Sequence, residues 1–115
     1  MAKGDDIRER AFRFACDVVR VSDDVALKGF SGRRLAAQLV ASGTSIGANL
    51  EEADGAQSRA DFVSKCTISL KEARESHYWL RLMHATKKLE DEKLLGECNE
   101  IIAILTTIVR KTRGE

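Results

Sequence analysis

Residues 38–53 read QLVASGTSIGANLEEA, and this stretch decides the fold. Its apolar residues recur at helical spacing, while small residues cover two other faces of the same helix. Gly43 and Gly47 are four residues apart and lie on one face, where each costs about 1 kcal/mol relative to alanine in a helix interior. That cost indicates that the glycines let neighbouring helices come close. We therefore predict a helix contacted on several sides, by its own bundle and by another subunit.

The composition predicts a single all-α domain. The chain has 115 residues, which is long enough for one core, and it contains no proline and 43% hydrophobic residues. Nothing therefore removes a backbone donor or kinks a helix. A formal net charge of +1 gives no global field that would attract nucleic acid or an anionic membrane. Binding of nucleic acid or of an anionic membrane would therefore depend on local clusters of basic residues.

Cysteine usage and the amino terminus predict a cytoplasmic protein. Cys16, Cys66 and Cys98 are odd in number, far apart and on apolar helical positions, as expected of buried thiols in a reducing compartment. No Cys-x-x-Cys spacing is present, which argues against a zinc or redox site. The first residues lack an apolar signal core, and no window reaches the roughly 18 apolar residues of a membrane span.

Apolar periodicity predicts four helices joined by short connections. Gly29 is a candidate left-handed cap, and Phe30 a candidate hydrophobic staple onto the second helix. Short connections favour neighbouring antiparallel helices, so we predict an antiparallel up-down-up-down four-helix bundle. The predicted helices span approximately residues 5–27, 32–54, 59–88 and 91–112.

Two capping boxes mark the starts of the first and third helices. Asp6 with Glu9 and Ser58 with Asp61 have the three-residue spacing of this motif. In both cases an acidic side chain also lies at the positive end of the helix dipole.

The residues that carry catalytic chemistry in helical bundles do not form the required patterns here. A carboxylate-bridged di-metal centre needs two Glu-x-x-His pairs, whereas His77 and His84 are the only histidines and lie on one helix. No nucleophile motif and no glycine-rich phosphate loop is present. We predict a protein that is not an enzyme and that uses no metal or cofactor.

Polar residues on the second and third helices have two interpretations. They could form a binding site, or a structural network in which opposite charges fix the register of an antiparallel helix pair. We favour the network. The residues concerned are Asn49, Glu52, Lys65, Lys71, Glu72 and Glu75.

Basic residues form several short clusters, including Arg8-Arg10-Arg13 on the first helix. Each cluster alone is most simply a solvated surface, because acidic residues lie within a turn of most of them. Oligomerisation would repeat each patch and let modest contacts add by avidity. The candidates for phosphate or partner contact are Arg33, Arg34, Lys87, Lys88, Arg110, Lys111 and Arg113.

Three linked motifs carry a family resemblance over nearly the whole chain. They are Q-L-x-x-S-x-x-S-I-G-A-N-L-x-E-A at 38–53, S-x-x-D-F-x-x-K at 58–65 and K-E-A-x-E-x-x-Y-W-L at 71–80. Together they resemble the bacterial four-helix-bundle family named for open reading frames in 23S rRNA intervening sequences, which includes accessory proteins of diversity-generating retroelements. One common form has proline and glycine where Gly47 and Ala53 stand here, so the chain resembles the branch with the Lys-Glu-Ala and Tyr-Trp-Leu signature.

The resemblance implies a homopentamer of antiparallel bundles around a central channel. In the retroelement accessory proteins such a barrel is implicated in binding a reverse transcriptase and nucleic acid. Those relatives are strongly basic, whereas this chain is nearly neutral. The residues that we expect at structural or intersubunit contacts are Gly43, Ser45, Gly47, Asn49, Glu52, Asp61, Phe62, Lys65, Glu72, Glu75 and Trp79.

The sequence therefore leads to two functional hypotheses. The first is a non-enzymatic, homo-oligomeric assembly or binding module, accessory to a reverse transcriptase or other nucleic-acid-processing machinery and without a membrane role. The second is a structural or small-ligand-binding bundle with no nucleic-acid role, whose pocket lies near Trp79 and the Asn49–Glu52 stripe.

Overall fold

The computed structural model describes the backbone of residues 3–115 and the side chains of residues 7–115. The described chain contains four helices and no strand, which confirms the all-α prediction. The capping box between Asp6 and Glu9 involves a side chain outside the described residues. The helices are α1 (Lys3–Ala26), α2 (Gly29–Asp54), α3 (Arg59–Ala85) and α4 (Lys93–Thr112).

Consecutive helices pack against each other around a ring. Helix α1 packs on α2, α2 on α3 and α3 on α4, while α4 closes the ring with a smaller contact on α1. This arrangement confirms the antiparallel four-helix bundle, whose extents are 45 × 24 × 21 Å. We call the end with the α1–α2 and α3–α4 connections the upper end, and the end with the α2–α3 connection the lower end.

The helix boundaries at the upper end depend on backbone geometry. Gly29 has a φ of +89°, the left-handed conformation expected of it, but α2 begins there rather than at residue 32. Phe30 is consequently within the first turn of α2 and is 74% exposed, so it does not act as a staple. Helix α3 ends at Ala85, three residues before the predicted end, because Lys87 has a φ of +59° and cannot continue a helix.

The lower end has the cap expected from the sequence. Ser58 has an extended backbone, and its Oγ accepts a hydrogen bond from the Asp61 backbone N–H at 3.0 Å. The Asp61 carboxylate in turn accepts from the Gln57 backbone N–H at 3.4 Å. The first bond satisfies a donor that the first turn of α3 would leave unpaired, and the second ties the preceding residue to the helix start.

The core consists of apolar side chains that recur at three- and four-residue spacing on each helix. Buried residues include Phe14 and Val18 of α1, Leu39 and Ile46 of α2, and Leu80 of α3. This burial agrees with the predicted apolar faces. On α4 the buried residues are Leu94, Cys98, Ile101, Leu105 and Val109.

Helix α2 approaches its neighbours closely on two sides. Towards α1, a Cβ added at Gly43 would lie 2.8 Å from both γ-methyl groups of Val18. Towards α3, Ser76 Oγ lies 2.8 Å from Ser42 Oγ, and the Ser69 hydroxyl donates to the Ile46 carbonyl at 2.8 Å. Glycine and buried serines thus replace larger side chains at these contacts.

Gly47 differs from Gly43 in the space around it. A Cβ added at Gly47 would lie 3.6 Å from the Ala11 Cβ, which is an ordinary van der Waals contact. The α1–α2 contact within one protomer therefore requires glycine at position 43 but not at position 47.

We expect Gly43→Ala to lower the free energy of unfolding by about 1–2 kcal/mol, because overpacking against Val18 outweighs the gain in helix propensity. Gly47→Ala, the matched control, should leave it unchanged or raise it by up to about 1 kcal/mol. Urea unfolding followed by circular dichroism measures both. Equal stabilisation by the two substitutions would contradict the close contact at Gly43.

Candidate functional site

The structure separates the seven basic residues predicted to contact phosphate. Arg33, Arg34, Lys87 and Lys88 lie at or near the upper end, where Lys28 Nζ also donates to the Lys88 carbonyl at 2.6 Å. The other three belong to the end of α4, at the lower end of a bundle 45 Å long. The seven residues therefore do not form one site within a protomer. These lower-end residues are Arg110, Lys111 and Arg113.

The polar seam between α2 and α3 contains one ion pair between the helices. Lys65 Nζ lies 2.9 Å from Glu52 Oε1. The hydrogen bond and the negative charge of Glu52 raise the pKa of Lys65. Glu52 is mostly exposed, so the pair adds little stability and mainly favours one register.

Two predicted members of the network are satisfied within their own helices. Asn49 Nδ2 donates to the Ser45 carbonyl at 2.8 Å, one turn earlier in α2. Trp79 Nε1 donates to Glu75 Oε2 at 3.0 Å, one turn earlier in α3. These bonds support the local geometry of each helix and do not link α2 to α3.

Glu72 has an unfavourable environment for a charged carboxylate. Partial burial raises its pKa, the nearby negative charge of Glu75 raises it further, and a hydrogen bond with Ser45 opposes both effects. The Ser45 hydroxyl also donates to the Ala41 carbonyl at 2.6 Å. The ionised form of Glu72 is thus less stable in the folded protein than in the unfolded chain.

The two fully buried thiols are poor nucleophiles. Burial raises the pKa of Cys98 to about 12, with a smaller contribution from Glu97, and burial also raises the pKa of Cys66. Both groups remain protonated at neutral pH, and a thiol reacts chiefly as its thiolate. The Cys98 Sγ instead donates to the Ala73 carbonyl at 3.3 Å within the core.

The described residues lack two features, one for holding a metal ion and one for crossing a membrane. No group of three histidine, cysteine or acidic side chains in this part of the chain lies close enough to hold a metal ion. No helix within the same residues combines the length and apolarity needed to cross a membrane.

Helix α3 carries a set of cations that the sequence analysis missed. Lys71, Arg74 and Arg81 are all exposed, with the half-exposed ring of Tyr78 between the two arginines. Their spacing of three and seven residues places them on one face of the helix. These cations are not adjacent in sequence, and helical spacing is the signal that identifies them. We call Lys71, Arg74, Tyr78 and Arg81 the α3 stripe.

A groove runs beside the upper part of the α3 stripe. Its volume is about 460 Å³, and its lining includes Tyr78 and Arg81 of the stripe. His84 also lines it, and the buried Nε2 of His84 has no hydrogen-bond partner among the described residues. Neither Asn49 nor Glu52 contributes, so this groove is not the pocket predicted near Trp79. The remaining lining residues are Leu82, Ala85 and Leu95.

A separate apolar cavity lies near the lower end. It measures about 130 Å³ and is bounded by residues of all four helices, including Phe62, one of the predicted contact residues. Arg8 and Asp54 are its charged lining residues. Its apolar lining consists of Ile7, Leu50, Ala53, Phe62, Cys66 and Ile108.

The outer surface of α1 exposes large apolar residues. Phe12 is 64% exposed and Val19 is 45% exposed, and their seven-residue spacing puts them on the same side of the helix. Ala15 and Cys16 lie between them and are half-buried. We call Phe12, Ala15, Cys16 and Val19 the α1 apolar face.

Comparisons with known proteins agree with this geometry. A family model described as 23S rRNA-intervening sequence protein matches residues 4–107. The crystal structure of a protein of unknown function from the S23 ribosomal protein family of Bacteroides thetaiotaomicron matches with a TM-score of 0.86 and 36% sequence identity. The match covers 95% of this chain and 99% of that one. Comparison with curated proteins finds no match.

We expect Glu72→Gln to raise the free energy of unfolding at pH 7. The pKa of Glu72 is higher in the folded protein, so the wild type loses stability as the pH rises through the titration of this group. The difference between variant and wild type should therefore shrink as the pH falls from 7 to about 4. Urea unfolding at several pH values measures it. A difference that does not vary with pH would contradict the assignment.

Proposed function

Because the chain belongs to the 23S rRNA-intervening sequence protein family, we propose that it is a non-enzymatic, cytoplasmic module that assembles with copies of itself and acts as an accessory to nucleic-acid-processing machinery. The observation that carries the assembly proposal is the α1 apolar face. The family resemblance supplies the expected size of the assembly, five copies, and the expected class of partner, a reverse transcriptase or RNA and DNA.

Exposure of the α1 apolar face supports self-association. Phe12 and Val19 are large apolar side chains on one side of a well-packed helix, and burying each would contribute roughly 1.5–3 kcal/mol. Arg8, at the lower end of this side, is already bonded to Glu51 at 2.7 Å. A second copy offers the matching chemistry, because a surface of mixed charge around an apolar centre is typical of subunit contacts.

Exposed alanines on α2 provide a flat surface beside the α1 apolar face. Ala37, Ala41 and Ala48 are exposed and spaced along the outer side of α2. Small side chains let the backbone of another helix come near, which favours packing between subunits. Gly47, which the α1–α2 contact does not require, is half-buried in the same helix.

Unpaired cations support the nucleic-acid component. Neither the upper-end pair Arg33 and Arg34 nor the lower-end pair Arg110 and Lys111 forms an ion pair within 4 Å among the described side chains. A ring would repeat each cluster once per subunit, so weak phosphate contacts would add. A net charge near zero therefore does not exclude local binding.

The assembly proposal predicts a particle of five 12.7 kDa protomers in light scattering. Phe12→Ser combined with Val19→Ser should reduce the mass towards that of one protomer, because both changes remove buried apolar area at the subunit contact. Leu27→Ser is the matched control, since Leu27 is 85% exposed but lies at the α1–α2 turn. A monomeric wild type, or equal effects of both variants, would overturn the proposal.

The nucleic-acid component predicts salt-dependent binding. Affinity for RNA and DNA oligonucleotides, measured by fluorescence anisotropy, should fall linearly with the logarithm of salt concentration between about 50 and 200 mM. The ratio of absorbance at 260 and 280 nm of the purified protein reports any nucleic acid retained from the cell. Absent binding, or binding with a flat salt response, would remove this component and leave the assembly proposal standing.

A further inference from the structure

The α3 stripe places its functional groups along one line. Lys71 and Arg81 are separated by about 15 Å of helix at ~1.5 Å per residue, with Arg74 and Tyr78 between them. Thr67 lies one turn below Lys71, and Arg113 Nη2 donates to its Oγ1 at 3.4 Å. Arg113 thus extends the line of positive charge towards the lower end, across the α3–α4 seam.

Among the described side chains, the cations of the α3 stripe, Lys71, Arg74 and Arg81, lack an acidic partner within 4 Å. Glu75 and Glu72, on the same helix, are hydrogen-bonded to the neutral groups of Trp79 and Ser45 and keep their negative charges. Lys71, Arg74, Arg81 and Arg113 outnumber these two carboxylates. Because screening in physiological salt acts over about 8 Å, a ligand on this face experiences the local excess despite the nearly neutral total charge.

Tyr78 adds an aromatic surface between the arginines. Its ring is 53% exposed and packs edge to face on Trp79, with the centroids 5.2 Å apart and the planes at 72°. Trp79 is itself held by Glu75, so the Tyr78 ring has a defined orientation. The ring also lines the groove of about 460 Å³, which is open to solvent.

One residue that lines the groove has a buried polar atom that lacks a partner among the described residues. His84 Nε2 is buried and makes no hydrogen bond to any described residue, although buried polar atoms are normally paired. Leu82, Ala85 and Leu95 supply an apolar lining around it. An exposed aromatic ring and an arginine beside an apolar surface together match what a nucleobase needs for stacking.

We propose that the α3 stripe and its groove bind single-stranded nucleic acid, with Lys71, Arg74 and Arg81 contacting successive phosphates and Tyr78 stacking on one base. This inference rests on the proposed nucleic-acid role and adds to it a face along α3, between the basic clusters at the two ends. A single strand fits better than a duplex, because only an unstacked base can lie on the Tyr78 ring or enter the groove.

Two triple variants of equal net charge test the phosphate contacts. Lys71→Gln/Arg74→Gln/Arg81→Gln removes the cations of the stripe. The control variant, Arg13→Gln/Arg20→Gln/Lys93→Gln, removes three exposed cations outside the stripe and outside the residues proposed above to contact phosphate. For a single-stranded RNA, the stripe variant should weaken binding at least tenfold at 50 mM salt and reduce the slope of log affinity against log salt by roughly 2. The control variant should keep the slope within a few tenths of the wild type.

Tyr78→Ala and Tyr78→Phe test the base contact. Alanine should weaken binding of single-stranded RNA by about tenfold or more, whereas phenylalanine, which keeps the stacking surface, should restore it. Binding of a duplex of equal length should be weaker in the wild type and insensitive to Tyr78. Light scattering and circular dichroism must show wild-type mass and helicity for every variant, as expected for substitutions at exposed positions.

The outcomes separate this inference from the broader proposal. Two results together support the inference. The stripe variant, but not the control variant, loses binding, and Tyr78→Phe keeps the affinity that Tyr78→Ala loses. Equal losses in the two triple variants, or wild-type affinity in the stripe variant, overturn the α3 site while the nucleic-acid role stands. Equal binding of duplex and single strand, with no effect of Tyr78→Ala, overturns the base contact. A wild type that binds no nucleic acid overturns both.

Discussion

The contact between the Gly43 backbone and the γ-methyl groups of Val18 limits how closely α1 and α2 can pack. A side chain at position 43 would push the two helices apart, and every later contact around the ring would shift with them. On its other side α2 meets α3 through Ser42 and Ser76, whose hydroxyl oxygens are 2.8 Å apart. The second helix is therefore the part of the bundle whose side-chain size is most constrained.

This constraint explains which parts of the fold could be predicted from the sequence. Apolar spacing and the glycines of α2 indicate buried faces, and Gly29 and the Ser58 cap have local signals because their geometry depends on a few neighbouring residues. The end of α3 had no such signal, since it depends on the left-handed backbone of a lysine, Lys87. Phe30 was misassigned because its outward direction follows from where α2 begins.

The candidate sites show a similar division. Pairing within a helix, such as Trp79 with Glu75, follows from four-residue spacing and was within reach of sequence reasoning. Arg33 and Arg110 lie at opposite ends of the bundle because of the order and direction of the helices. Clusters of basic residues in the sequence therefore belong to separate surfaces. The helical spacing of Lys71, Arg74 and Arg81 is present in the sequence. Comparing only neighbouring basic residues does not reveal it. Local charge excess depends on which acids are engaged elsewhere, and the sequence alone does not give that.

The seam between α4 and α1 has a consequence for motion. It is the smallest of the four helix contacts, and its outer side is held by the paired hydrogen bonds of Arg10 to Glu97 at 2.7 and 3.0 Å. Polar contacts at a half-exposed seam are cheaper to break than a buried apolar layer. The α1–α4 seam therefore opens more easily than the other helix contacts, while α2 and α3 stay packed together. Amide protons along α4 would then exchange with solvent before those of α2.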